Sequence, residues 1–100
     1  MVVEPQNVKD HRETLEALHE LYKRKNIDYG NSFDKSLDEH GLIAAIVRME
    51  DKFNRIKKLN KSTALVNDES IIDTLLDLGN YSIMAAIWYK NKETENNNVL

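Results

Sequence analysis

Glu69, Asp73, Asp77 and Asn80 follow one another at intervals of four, four and three in the segment Glu69-Ser-Ile-Ile-Asp-Thr-Leu-Leu-Asp-Leu-Gly-Asn80. A helix turns ~100° per residue, so Glu69, Asp73 and Asn80 share one face and Asp77 stands on its shoulder. Leu76 and Ile83 occupy that face too, while Ile71, Leu75, Leu78 and Trp88 cover the opposite one. A helix that is apolar on both sides is expected to be buried on both sides. Carboxylates held there without partners repel one another and lose hydration, at ~1.4 kcal/mol per pKa unit. The pattern therefore calls for a cation, either basic side chains or a divalent metal. Mg²⁺ takes hard oxygen ligands and keeps several waters, so Glu69 and Asp73, with Glu50 from a second segment, form a candidate ligand set.

The basic side chains are present as well. Between positions 48 and 61 stand six of them, Arg48, Lys52, Arg55, Lys57, Lys58 and Lys61, against the two acids Glu50 and Asp51. Arg48, Lys52 and Arg55 fall on one helix face. Turned towards the acids, they either close salt bridges between helices or hold the phosphates of a nucleotide. In the second case a water on Mg²⁺, its pKa lowered by coordination, is the nucleophile, and Glu50, Glu69 and Asp73 carry the catalysis. Asn80 adds nothing to an ion-pair network, but its amide can orient a carboxylate or read a base. Asp77 adjoins it on the same segment. Asp28-Tyr29-Gly30-Asn31-Ser32-Phe33 combines turn formers with two aromatics. Such a turn either anchors a connection to the core or offers Asp28, Tyr29 and Phe33 to a ligand.

Helices must position these groups. Leu15, Leu18 and Tyr22, broadened by Leu21, define a first helix near residues 8–26, capped by Asn7 or by an Asp10–Glu13 capping box. Leu42, Ile46, Met49, Phe53 and Ile56 give the core face of a second helix near 42–60. Asn67 or Asp68 caps a third, near 69–90. The stretch 27–40 reads as a connection, 61–66 as another, and 93–100 as a polar, flexible tail following a single domain over 1–92. The expected fold is all-α, a bundle of three long helices. Their wide apolar faces are hard to cover in one chain, which predicts a homodimer or larger assembly.

Composition sets the outer bounds. One hundred residues with three Gly and one Pro leave little room for the turns of a β-sandwich. A net charge of −3 argues against general nucleic-acid binding. No run approaches the ~18 apolar residues of a membrane span. The absence of Cys excludes a disulfide framework and a thiol nucleophile, and fits a reducing, cytoplasmic location. His11, His19 and His40 show no ligand spacing, the serines have no His-Asp partner set, and there is no Walker-type loop.

Three blocks together resemble a known family. Lys25-Asn-Ile-Asp-Tyr-Gly-Asn-Ser-Phe33, Arg48-Met-Glu-Asp-Lys-Phe-Asn-Arg55 and Glu69 through Tyr81 are similar, in that order, to the first nucleotide-modification-associated domain, a small family frequent in phages and bacteria. The third block also resembles the MazG and dimeric dUTPase group of all-α nucleoside triphosphate pyrophosphatases. Those enzymes hold Mg²⁺ with a Glu-x-x-Glu helix and a Glu-x-x-Asp helix, often with an Asn seven residues after the Asp. Asp73 and Asn80 match that Asp and Asn. Glu69 stands four residues before Asp73 instead of three, Ser70 occupies the expected Glu position, and Val47 and Phe53 flank Glu50 where a second Glu is required. The resemblance implies a nucleotide-binding helical protein, with Mg²⁺-dependent release of pyrophosphate from a nucleoside triphosphate as its activity. The alternative is a non-catalytic interaction or nucleotide-sensing module whose polar residues pair between helices.

Overall fold

The structure is a computed structural model and describes residues 3–29, 31–61 and 67–98, without the side chains of 27–29, 67–69 and 97–98. The described residues form four α-helices and no strand: α1 (Gln6–Tyr29), α2 (Ser32–His40), α3 (Ile43–Lys61) and α4 (Asn67–Asn98). The all-α expectation holds, and the three long helices are present with different ends. The chain divides into two compact units, Met1–Gly30 and Asn31–Leu100.

In the first unit, α1 starts ahead of both expected caps. The Pro5 carbonyl accepts the N–H groups of Val8 and Lys9 at 3.1 Å each, so the helix opens on Pro5. Asp10 already lies inside it, taking the Gln6 amide at 2.8 Å on its side chain and the Thr14 hydroxyl at 2.8 Å on its carbonyl. No Asp10–Glu13 capping box forms, and Asn7 sits in the first turn. The Arg12 guanidinium donates to both carboxylate oxygens of Glu4 and holds that carboxyl below its usual range.

In the second unit, α2 corrects the expected connection over 27–40. Phe33 and Leu37 stand one turn apart on the same side, Asp34 lies in the positive first turn and His40 in the negative last turn. Nine residues with two anchors are too few for a convincing periodic signal, yet tertiary packing holds them. Leu37 is fully buried against Ala45 of α3 and Ala85 of α4, with Phe33, Ala44, Met49 and Trp88 around this cluster. The two alanines let the three helices approach closely. Gly41 ends α2 at φ 76° and ψ −163°, a conformation open to glycine, while its N–H closes on the Leu37 carbonyl at 2.8 Å.

α3 and α4 form an antiparallel pair, and two faces differ from expectation. On α3, Met49 and Ile56 are half-buried as anticipated, but Leu42, Ile46 and Phe53 are exposed. On α4, Asp73 is exposed together with Ile72, Leu75, Ile83 and Ile87, so this helix is not buried on both sides and Asp73 reaches water. Its inward stripe is instead Thr74, Asp77, Tyr81, Ala85 and Trp88. α4 also runs on through Asn98, so the polar segment expected as a tail is helical to that residue. The polar residues from 90 onwards continue a helix already nucleated, with Lys92 reaching back to Asp38 of α2. The residues 62–66 of the expected second connection, and the side chains of the expected caps Asn67 and Asp68, lie outside the described residues.

Leu37→Ala should cost about 2–5 kcal/mol, because it empties the centre of the three-helix contact. Gly41→Ala should cost about 1–3 kcal/mol through backbone strain alone. Urea unfolding followed by circular dichroism measures both, and a Leu37→Ala protein as stable as wild type would refute the packing.

Candidate functional site

Two contacts fix how α3 lies on α4. Lys52 Nζ is 3.2 Å from Asp77 Oδ2, with side chains 29% and 19% exposed. One turn away, the Ser82 hydroxyl approaches Met49 Sδ at 3.4 Å while donating to the Leu78 carbonyl at 3.0 Å. Each step along α3 is therefore a step back along α4, and every candidate residue acquires a level and a side.

The Lys52–Asp77 pair marks a charged seam. Arg48 and Arg55 stand four before and three after Lys52, hence on the same side of α3. Asp73 precedes Asp77 by one turn on α4, and the buried Asn80 follows it by three residues. Only Lys52 and Asp77 are shown pairing: Arg48, Arg55 and Asp73 are exposed and make no ion pair among the described residues. Thr74, buried between the acids, turns its hydroxyl back to the Ser70 carbonyl at 2.7 Å and so competes for neither.

Two candidates go elsewhere. Glu50 is two residues before Lys52, about 200° around α3, and is exposed on the side away from the seam. Along the axis it is level with Asn80, roughly 10 Å from the level of Asp73 at 1.5 Å per residue. Phe33 is half-buried and packs edge-on against Tyr81, centroids 5.1 Å apart, so it anchors α2 to α4 instead of presenting a ring to a base. Asp28, Tyr29 and Glu69 have side chains outside the described residues. Among the described residues no three carboxylate, imidazole or thiol groups converge as a metal site. Glu50 and Asp73 are too far apart along the pair, and on different sides of it, to share one Mg²⁺ ion.

A second polar feature had no signal in the sequence. Asp38 of α2 accepts the Trp88 indole N–H at 2.9 Å, and Lys92 reaches Asp38 at 3.8 Å and Glu95 at 3.5 Å while lying over the Trp88 ring. These residues, with Asp34, line a cleft of about 280 Å³ between α2 and α4. Asp38 and Trp88 are fifty positions apart, and only the fold brings them together. Lys92 lies across the cleft and ties Asp38 of α2 to Glu95 of α4, which makes this a structural clasp.

An all-α domain whose α3–α4 pair carries a charged seam is the class of protein that geometry defines. Residues 25–88 match the family model described as nucleotide modification associated domain 1, and the chain belongs to that family. The match covers α2, α3 and the part of α4 that bears the seam. No curated protein and no solved structure matches the chain significantly.

A double-mutant cycle on Lys52→Met and Asp77→Asn should give a coupling of about 1 kcal/mol, falling in high salt because both groups retain some exposure. Zero coupling at low salt would contradict the pairing and the register drawn from it.

Proposed function

We propose that this chain binds a nucleotide at the α3–α4 seam, with Arg48 and Arg55 taking the phosphates and Lys52, steadied by Asp77, between them. The observation carrying this reading is that two exposed arginines flank a half-buried lysine–aspartate pair without ion-pair partners of their own among the described residues. Guanidinium groups bind phosphate in bidentate fashion, and the family description points to nucleotides. Asn80, further along the same seam, is the group suited to reading a base or orienting Asp77. Turnover to monophosphate and pyrophosphate rests only on the likeness of Asp73 and Asn80 to the MazG-like enzymes; Glu50 faces away from the seam, so binding is the activity proposed.

The competing reading is an interaction module in which the polar residues only pair between helices. The Lys52–Asp77 pair favours it; the exposed Arg48, Arg55 and Asp73 do not. Because Asp73 is exposed and outside any described pair, Asp73→Asn should leave the ligand-free protein within about 0.5 kcal/mol of wild type. Thermal melts with a panel of ribo- and deoxyribonucleotides, with and without Mg²⁺, separate the readings. A ligand at ~100 times its Kd should stabilise wild type by ~2.7 kcal/mol, and Arg55→Ala should remove that gain while leaving the ligand-free melt unchanged. A wild type indifferent to every nucleotide would end the binding proposal.

A further inference from the structure

The seam carries more acid than the Lys52–Asp77 pair alone. Arg48, Lys52 and Arg55 bring three positive charges, and Asp77, 3.2 Å from Lys52, offsets one. Two exposed carboxylates flank them. Asp51 stands three residues after Arg48 and four before Arg55, a neighbour of both on the surface of α3. Asp73 stands one turn before Asp77 on α4, and in an antiparallel pair that brings it level with Ile56, next to Arg55. Among the described residues neither acid belongs to an ion pair. Three bases therefore meet three acids, and this balance sets how much negative charge a ligand can bring. The seam also has two unlike ends. Arg48 is level with Tyr81, where Phe33 of α2 packs edge-on at 5.1 Å, and α2 accompanies α4 from there to Lys92. The other end leads to Asp73.

We propose that the seam selects a nucleoside monophosphate over the di- and triphosphate, with Asp73 and Asp51 turning away the further phosphates. This rests on the reading of the seam as a nucleotide site, and it names the class of ligand. A phosphate monoester carries about −1.5 to −2 charge at pH 7, which the two bases left over from the Lys52–Asp77 pair neutralise. Placed over Lys52, it lies ~6 Å along the axis from Arg48 and ~4.5 Å from Arg55, within reach of both long side chains. With Asn80 at the base end, Asp73 is seven residues away, or ~10 Å, a span that one base, sugar and phosphate occupy. A second and third phosphate would then extend past Arg55 to Asp73. Ionised carboxylate and phosphate oxygens are acceptors only, so no hydrogen bond relieves their repulsion. Asp51 opposes the same phosphates from the side of α3. A divalent cation carried in by the triphosphate would screen both acids, so Mg²⁺ should narrow the preference.

Titration calorimetry in EDTA at low salt, with the mono-, di- and triphosphates of each common ribo- and deoxyribonucleoside, tests this. For a nucleoside that binds, the monophosphate should bind about tenfold more tightly than the triphosphate, whose added charges face two carboxylates. Asp51→Asn with Asp73→Asn should bring the two affinities within about twofold of each other, the triphosphate gaining most, with helical content unchanged. A triphosphate that binds wild type as tightly as the monophosphate in EDTA overturns the proposal and leaves the seam reading standing. So does a preference that survives both substitutions. Failure of every nucleotide to bind ends the seam reading and this proposal with it.

Discussion

The contact of Lys52 with Asp77 sets what the rest of the second unit can be. A lysine and an aspartate, each less than a third exposed, hold α3 and α4 at one level. Once that level is fixed, Ala45 and Ala85 meet around Leu37, Met49 meets Ser82, and the arginines on either side of Lys52 line up along the same seam as Asp73. Apolar packing supplies most of the stability of such a unit, but apolar contacts slide. A charge pair with one partner on each helix does not, since slipping by a turn would leave both ions partly desolvated without their counter-charge.

The same contact divides the unit into two sides with different physics. The side carrying Lys52, Asp77, Tyr81 and Trp88 also takes α2, whose Leu37 closes the core and whose Asp38 ties to Trp88. The other side carries exposed aliphatic and aromatic residues on both helices.

Much of this was legible in the residues. Helical spacing gave the three long helices, the tally of basic residues from Arg48 to Lys61 gave the cationic side of α3, and the three sequence blocks gave the family that the match over 25–88 shows. What spacing did not give has physical reasons. α2 is held by a single fully buried leucine, too little for a periodic pattern to announce. Glu50 looks like a partner for Asp73 because both are acids near a basic band, but which way a helix faces depends on its neighbour, and here Lys52 and Met49 face α4. Phe33 has two readings as an aromatic in a turn; its contact with Tyr81 decides for anchoring. The apolar content of α4 suggests burial on both faces, whereas Ile72, Leu75, Ile83 and Ile87 are exposed.

Whether a nucleotide sits at the α3–α4 seam is tested most directly by amide chemical-shift mapping during a nucleotide titration. Shifts concentrated at residues 48–55 and 73–81, moving together along one saturable curve, are the predicted result. Shifts centred instead on Asp38, Trp88 and Lys92, or none at all at millimolar nucleotide, would contradict it.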